Sequence, residues 1–351
     1  SWSAWSCSGA PCTVRPHSDT DPSCVAKLDP EGNLLWNTFL GGDRYGTNEI
    51  YVAIAVHGTD SVYVTGQGSH TWGTPVRAFT RYDDAFVAGL DSDGNLKWNT
   101  FLGGNGYDDS SGIATDSLGN VYVVGTSNRG WSCDTTPPSC RVRPYTEDDA
   151  FVAKLGPNGS LLWNTFLGGA GSDTGSGIVV DPAGRLFVTG ASAASWETPI
   201  RAYTEGSSEQ RQGDAFVAEL DDSGNLIWNT FLGGSNVDQG LAINIGQQGH
   251  VYVAGSSKTG WEATATQARS GAFVAGMSTS GDLIWNTFLG VSSSDLATGA
   301  VPVGDGSLLV SGTCGAEWGS PLRPFPGPYS AFVAQLAPVF STQWLPFFRN
   351  N

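Results

Sequence analysis

The stretch LLWNTFLGG, residues 34–42, decides the fold because the chain repeats it. Close copies begin at Leu96, Leu161, Leu226 and Leu283, and a degenerate sixth copy surrounds Trp344. The tryptophans of successive copies lie 57 to 65 residues apart. A nearly constant period of this length indicates an array of similar structural units, in which each copy performs the same geometric task.

Two further motifs share this period. One precedes each copy of the first, as in DAFVAKL at residues 149–155, and the other lies between copies, as in IATDSLGNVYVVG at residues 113–125. Each full unit therefore contains four short runs, which we name A (IATD), B (NVYVVG), C (AFVAKL) and D (LLWNTFLGG). They are rich in valine, isoleucine and aromatic residues, which favour β-strands.

The links between these runs predict hairpins. Runs A and B, and runs C and D, are joined by the pattern D-x-x-G-N, as at residues 116–120 and 91–95. Aspartate opens such a turn, and glycine adopts the left-handed conformation within it. Four antiparallel strands per unit, repeated around an axis, predict an all-β fold: a β-propeller of four-stranded antiparallel blades.

These motifs resemble a known repeat. WNTFLGG, GNVYV and DAFVAKL together are similar to the SBBP-type β-propeller repeat of bacterial and archaeal secreted proteins. The resemblance covers nearly the whole chain. It implies a secreted propeller and an extracellular or cell-surface location, but it implies no particular activity.

Composition excludes several classes of partner. The formal charge is −16 and the chain has only four lysines, so we expect neither nucleic acid nor anionic lipid to bind. No run of eighteen apolar residues is present, so we expect no membrane span. Because the sequence begins at Ser1, we expect a secreted chain whose signal peptide has been removed.

Counting the runs leaves one half-unit over. There are five A–B pairs and six C–D pairs, which predict five full blades plus one extra C–D half-blade within a single domain, residues 1–351. Residues 1–42 form an N-terminal half-blade, and we expect it to close the ring by completing the last A–B pair. Residues 43–329 contain the repeats up to that pair. Residues 330–351 are then a C-terminal half-blade or an exchanged arm; in the alternative, they complete the last blade and the N-terminal half is spare.

The cysteines support an oxidising compartment. Two pairs flank equivalent loops, so we predict the disulfides Cys7–Cys12 and Cys133–Cys140. Cys24 and Cys314 fall on strands C and B at positions that we expect to face one another, which predicts a third bond. The alternatives are two free buried thiols, or a bond that joins two subunits.

The C-terminal segment suggests assembly. It departs from the repeat, contains a proline that would interrupt a central strand, and carries the aromatic side chains of Phe340, Trp344, Phe347 and Phe348. The leading hypothesis is a non-enzymatic extracellular structural protein, a self-assembling subunit of a surface filament or layer, in which a terminal half-blade is exchanged with or added to other copies of the chain.

The B–C loops suggest a second hypothesis. Each contains a tryptophan followed by an arginine: Trp72 and Arg77, Trp131 and Arg143, Trp196 and Arg201, Trp261 and Arg269, Trp318 and Arg323, and in the first loop Trp5 and Arg15. An arginine over an indole face forms a cation–π contact, so these residues could clamp one blade to the next. Alternatively they form a ring of sugar sites, as in a lectin-like carbohydrate-binding propeller with glycan partners.

Other chemistry is poorly supported. We find no catalytic motif and expect no enzyme. Asp108, Asp173, Asp238 and Asp295 recur five positions after the first glycine of LGG, where we expect turn and cap roles. One carboxylate per loop is too few for a calcium cage, so we expect no cofactor, with Ca²⁺ at the doublets 83–84 and 148–149 as the alternative. The Asn-Thr pair of WNT is expected at the rim, within reach of a neighbouring blade or subunit.

Overall fold

The computed structural model is all-β. It describes residues 13–15, 23–41, 50–131, 140, 142–204, 213–246, 249–261, 270–323, 325, 327 and 329–337. Within this part of the chain there are 21 strands and no helix, and every pairing between the strands is antiparallel.

The strands form six sheets in chain order. The first, named the N-terminal hairpin, contains β1 (Ser23–Leu28) and β2 (Leu34–Leu40). Blade I contains β3 (Ile50–His57), β4 (Ser61–Gly68), β5 (Asp84–Asp91) and β6 (Leu96–Leu102). Blade II contains β7 (Asp108–Thr115), β8 (Val121–Ser127), β9 (Asp149–Leu155) and β10 (Leu161–Leu167).

Three further blades follow. Blade III contains β11 (Asp173–Val180), β12 (Leu186–Ser192), β13 (Asp214–Leu220) and β14 (Leu226–Leu232). Blade IV contains β15 (Asp238–Ile245), β16 (Val251–Ser257), β17 (Gly271–Met277) and β18 (Leu283–Leu289). Blade V has three strands within the described residues: β19 (Leu296–Pro302), β20 (Leu308–Cys314) and β21 (Ser330–Leu336). The first strands of successive blades contact one another from β3 through to β19, which is the arrangement of a propeller.

The predicted hairpin turns are present. In the C–D turn of blade I, the Asp91 amide donates to the carbonyl of Asn95, and the Gly94 amide donates to the carbonyl of Asp91. Gly94 has φ +82°, the left-handed conformation that the pattern requires. The turn aspartate therefore has a local structural role.

The repeated tryptophan explains the period. The Trp98 indole N–H of blade I donates to the carbonyl of Pro157 in the C–D turn of blade II, at 2.9 Å. A Cβ on Gly159 in that turn would lie 2.5 Å from the Trp98 ring, so the ring and the turn lie in contact. The same contact joins Trp36 to Gly94, Trp163 to Gly224 and Trp228 to Gly281. In these four copies, WNTFLGG therefore attaches its sheet to the next one.

The Asn-Thr pair of WNT has a different place from the one expected. Asn99 and Thr100 are buried. The Asn99 side-chain amide donates to the carbonyl of Trp72 at 2.8 Å, which ties strand D to the B–C loop of its own blade. Asn164, Asn229 and Asn286 form the same bond in the next three blades. The expectation that this pair meets a neighbouring blade or subunit is therefore wrong for the asparagines, which bind their own blade.

Each blade has a forward face, which packs on the next blade, and a backward face, which packs on the previous one. One core cluster contains Val87 from blade I together with Phe151 and Ala153 from blade II. Strand C of an interior blade is therefore buried on both faces. Such strands appear in the sequence as continuous apolar runs, as DAFVAKL does.

The structure corrects the predicted ring closure. Strand β21 pairs with β20, so the last A–B pair takes its strand C from residues 330–336, and the N-terminal half-blade remains a separate two-stranded sheet. This corresponds to the alternative in which the N-terminal half is spare. The arm residues Phe340, Trp344, Phe347 and Phe348 lie outside the described residues.

The Cys24–Cys314 bond is also corrected, because both residues are free thiols. Cys314 pairs with Ser330, and its thiol donates to the Ser330 carbonyl at 3.5 Å. Cys24 lies in β1 at the strand C position that phenylalanine occupies in the blades. The register of blade V places this position opposite Gly312, and not opposite Cys314. The expected alignment was therefore two residues out of register.

Candidate functional site at the blade junctions

The arginines of the B–C loops stack on the tryptophan of the next blade and not on that of their own loop. Arg77 of blade I lies over Trp131 of blade II, with its guanidinium carbon 5.6 Å from the ring centroid. Equivalent contacts, at 5.4 to 5.8 Å, join Arg15 to Trp72, Arg143 to Trp196 and Arg201 to Trp261. These contacts join one blade to the next, as expected of a clamp, but each arginine takes the tryptophan of the following loop and not the one in its own loop.

The same arginines also bind the LGG end of their own blade. Arg77 donates to the carbonyls of Phe101 and Gly103 at 2.9 and 2.8 Å. Arg201 donates to the carbonyls of Phe231 and Gly233 at 2.8 and 3.2 Å. Each guanidinium thus uses its N–H groups on one blade and its flat face on the next, which is the geometry of a clamp between blades.

The tryptophans of these loops are not accessible to a ligand. Trp72, Trp131, Trp196 and Trp261 are buried. Each also meets phenylalanine rings of its own blade edge to face, as Trp131 meets Phe151 at 5.3 Å between centroids. A sugar ring could stack on them only if the junction opened, so this geometry supports the clamp.

The clamp series stops at blade V. Trp318 is only partly buried and Arg323 is exposed, and neither has a clamp partner among the described residues. Arg269, which would precede Trp318 in the series, lies outside those residues, as does Trp5. Arg323 is therefore the last described arginine of the series, and within the described residues it forms no clamp.

Pairs of buried carboxylates lie beside the clamps. Asp84 at the start of strand C in blade I and Asp108 at the start of strand A in blade II converge on Gly103, where a Cβ would lie 2.5 and 2.6 Å from their oxygens. Asp149 and Asp173 converge on Gly168, and Asp214 and Asp238 on Gly233. The Gly104 amide donates to Asp108 and the Thr80 amide to Asp84, so these aspartates also perform the expected turn and cap roles.

Burial dominates the electrostatics of these pairs. It raises the pKa of Asp84, Asp108, Asp173 and Asp214 to about 6. It raises the pKa of Asp238 to about 7. The neighbouring carboxylate raises the pKa of Asp238 further, whereas Arg201 lowers it. The pairs therefore change protonation near neutral pH, and each does so at a junction between two blades.

The two ends of the blade series are uncovered. On the forward face of blade V, Val333 is 76% exposed, whereas the equivalent Val274 of blade IV is fully buried. Val301 and Leu309 on the same face are also exposed. On the backward face of the N-terminal hairpin, Cys24, Ala26 and Leu28 are exposed. In blades I to V the residues at these positions pack against the preceding blade, as Phe86 and Ala88 do.

The end faces cannot be recognised in the sequence, because SAFVAQL of β21 follows the same pattern as the buried GAFVAGM of β17. Two exposed tyrosines, Tyr82 and Tyr107, are hidden for a different reason. They occur at one junction only, whereas the predicted site residues recur in every repeat. Departure from the consensus was the signal that could have found them.

Several predicted site residues are untested. Cys7, Cys12 and Cys133 lie outside the described residues, whereas Cys140 is disulfide-bonded. Over the described ranges, no three or more His, Cys, Asp or Glu side chains group in a way that could hold a metal ion. The same ranges contain no helix long and apolar enough to cross a membrane.

Comparisons with curated proteins give partial matches. The chain is 24% identical over 157 residues to an uncharacterized WD repeat-containing protein of Acanthamoeba polyphaga mimivirus, covering 41% of this chain and 11% of that protein. It is 27% identical over 113 residues to the regulatory protein FlaEY of Caulobacter vibrioides, covering 32% of this chain and 12% of that protein. The chain thus spans about a tenth of the length of these relatives.

Solved structures give looser matches. A protein of unknown function from Bacteroides caccae aligns over 82% of this chain and 78% of its own, at 11% identity and a TM-score of 0.44. A GH43_12 protein retrieved from a capybara gut metagenome aligns over 85% of this chain and 53% of its own, at 12% identity and a TM-score of 0.37.

The match to a family model is more specific, and it falls on the repeat unit itself. The SBBP beta-propeller repeat matches residues 97–129 and 162–194, which run from strand D of one blade to the end of strand B in the next. The chain therefore carries SBBP β-propeller repeats.

Proposed function

We propose that this protein is a non-enzymatic extracellular structural subunit that assembles head to tail. The forward face of blade V packs on the backward face of the N-terminal hairpin of a second copy. The observation that carries this proposal is that both faces are exposed in one molecule, although each consists of residues that are buried at the interior junctions.

The interior junctions supply the template for this contact. Between blades IV and V, one cluster joins Ala272 and Val274 of the forward face to Val310 of β20, with Phe332 and Leu336 of β21 packed against it. In the proposed interface, Ala331 and Val333 occupy the positions that Ala272 and Val274 occupy at the interior junction. Cys24, Ala26 and Leu28 of the second copy occupy the positions of Phe332, Ala334 and Leu336.

Symmetry decides what such a contact builds. The two faces are different surfaces of the same chain, so the contact is heterologous and propagates from copy to copy. It forms an open filament unless the rotation between subunits closes a ring. Burying an apolar side chain of this size contributes about 1.5 to 3 kcal/mol, so a few such residues give a substantial interface.

The proposed assembly uses the N-terminal half-blade as the added element. Arg323 lies at the same end as the forward face of blade V and is exposed, so it is available to clamp a tryptophan of the next copy, as Arg77 clamps Trp131. The Trp–Arg loops thus support assembly better than sugar binding, because their tryptophans are buried at the interior junctions.

The test is to place a charge on one end face. Val333→Asp should leave a folded protein that no longer assembles, as seen by light scattering after gel filtration and by negative-stain electron microscopy. Leu118→Asp is the matched control, because Leu118 is 77% exposed in an A–B turn away from both ends. Wild-type protein that stays monomeric at every concentration, or a Val333→Asp variant that assembles like wild type, would contradict the proposal.

A further inference from the structure

Two exposed tyrosines meet where blade I joins blade II. The rings of Tyr82 and Tyr107 lie 5.4 Å apart between centroids, at an interplanar angle of 31°. Tyr82 is 47% exposed and Tyr107 is 52% exposed. The guanidinium carbon of Arg81 lies 4.9 Å from the Tyr82 ring centroid. A paired aromatic surface in solvent is unusual for a chain that buries its loop tryptophans, and such exposed patches mark interaction sites.

The backbone holds this pair in place. Asp83, next to Tyr82, forms a parallel bridge with Tyr107, and the Asp108 amide donates to the Asp83 carbonyl at 2.8 Å. The Tyr107 amide donates to the Asn128 side-chain oxygen at 2.8 Å, and the Asn128 amide donates back to the Tyr107 carbonyl at 3.1 Å. The two rings are therefore presented by loops that are fixed to one another.

Tyr82 occupies a strained backbone conformation. Its φ is +63°, in the left-handed region that a bulky residue adopts only at an energetic cost. Among the described residues, Glu197 and Tyr329 are the other non-glycine residues with positive φ, at +52° and +61°. Strain of this kind tends to persist where the presented side chain has a function.

Asn128 connects the tyrosine pair to a cavity one blade further on. Its carbonyl accepts a hydrogen bond from the Tyr145 hydroxyl. Tyr145 lines a cavity of about 410 Å³ together with Thr146, Glu147, Asp148, Gly171 and Ser172. Glu147 accepts the Gly171 amide at 2.8 Å, which fixes one wall of the cavity. An aromatic surface thus continues into a cavity whose lining includes the two carboxylate side chains of Glu147 and Asp148.

We propose that the tyrosine pair and this cavity form one binding site for a neutral oligosaccharide of pyranose sugars. The apolar face of one sugar ring stacks on the tyrosines, and the hydroxyls of the next sugar donate to Glu147 and Asp148. The carboxylates, with Asp83 beside the rings, repel sulfated and uronic-acid glycans. The site is independent of head-to-tail assembly, because it lies at an interior junction.

The repeat supplies fold-compatible substitutions for the test. Ser172 of blade II stands where Tyr107 stands in blade I, and Glu147 lies two residues before strand C, as Tyr82 does. Tyr107→Ser combined with Tyr82→Glu therefore removes both rings and introduces the polar residues that blade II carries at these sequence positions. Tyr82→Phe with Tyr107→Phe keeps the rings and removes only the hydroxyls. Tyr329→Ser changes a tyrosine that is 81% exposed on blade V, outside the site.

The measurement is affinity electrophoresis of the whole protein in native gels that contain soluble β-glucan, xylan, galactomannan or alginate. We expect at least one neutral polysaccharide to retard the wild type, the double Phe variant and Tyr329→Ser. The Ser/Glu double variant should bind about tenfold more weakly, the loss expected for an aromatic anchor. No retardation by any neutral polysaccharide, equal retardation of the Ser/Glu variant, or retardation by alginate alone would overturn the proposal. Equal thermal melting of the variants shows that the fold is intact.

Discussion

Val274 and Val333 occupy the same position in strand C of blades IV and V, yet the first is fully buried and the second is 76% exposed. The isoleucines of strand A differ in the same way: Ile178 is 8% exposed in blade III, and Ile54 is 57% exposed in blade I. The local sequence and the strand pairing are alike in each comparison. What differs is whether another blade covers the face, so one repeat encodes half of an interface and its neighbour supplies the other half.

The strongest test of this comparison is to replace each valine, in separate variants, with a charged residue. Val274→Asp buries an unpaired carboxylate in a dry junction and should cost more than about 4 kcal/mol, enough to prevent folding. Val333→Asp at the same strand position should change the unfolding free energy by less than about 0.5 kcal/mol. Urea denaturation followed by tryptophan fluorescence should show no cooperative transition for Val274→Asp and a transition close to that of the wild type for Val333→Asp. A large loss at Val333 in dispersed protein would show that blade V is covered by its own chain.

The glycines of the C–D turns give a second matched pair. Gly159 and Gly32 have φ of +82° and +87°, but only Gly159 lies under a tryptophan of the preceding blade. Gly32 would place a new Cβ in open space. Gly159→Ala should therefore cost about 3 kcal/mol, from left-handed strain plus overpacking against Trp98.

Gly32→Ala should cost about 1 to 2 kcal/mol, because it involves the backbone strain alone. Thermal melting of the two variants under identical conditions gives the difference. Equal losses would mean that the contact between Trp98 and the turn adds nothing to the junction.

The fold could be predicted well from the sequence because the signals that indicate it are local to one repeat. Period, turn pattern and strand composition are all read within one repeat, and they gave the blades, the hairpins and the role of Asp91 in its turn. The choice between two equivalent strands for blade V was not local. Residues 24–28 and 332–336 both fit beside β20, and only the three-dimensional path of the chain decides between them.

The clamp between blades was predicted from the sequence, but the tryptophan that each arginine contacts was not, for a related reason. The spacing from each tryptophan to the arginine of its own loop varies from 5 to 12 residues, and every arginine except the last also has a tryptophan in the next repeat, so the period cannot show which tryptophan Arg77 contacts. Proximity along the chain favoured Trp72. The contact with Trp131 depends on how one blade is rotated relative to the next, and that rotation cannot be inferred from the sequence of a single repeat.

Truncating the clamp arginines compares an interior junction with an end. Arg77→Ala removes a cation–π contact and two charge-assisted hydrogen bonds, so we expect a loss of about 2 kcal/mol. Arg323→Ala in dispersed protein should have almost no effect, since Arg323 is exposed. Urea unfolding of both variants in the Val333→Asp background keeps assembly out of the measurement. If Arg323→Ala costs as much as Arg77→Ala, the end of the series is already clamped.

The smallest expected effect concerns pH and separates buried carboxylates from turn carboxylates. Burial raises the pKa of Asp238 to about 7, whereas hydrogen bonds from Asn95 lower the pKa of Asp91. A carboxyl with a raised pKa binds its proton more tightly in the folded state than in the unfolded state. Its ionisation therefore lowers the unfolding free energy as the pH rises from about 4 to about 7.

Asp238→Asn should reduce this fall by about 1 kcal/mol between pH 6 and pH 7, because the amide keeps the shape and cannot ionise. Asp91→Asn is the control: it removes the same charge from a turn, and the contribution of Asp91 is lost only as the pH falls towards its lowered pKa. Unfolding in urea at both pH values gives the two slopes. If Asp91→Asn flattens the profile as much as Asp238→Asn does, the fall comes from the net charge of −16 and not from the paired carboxylates at the blade junctions.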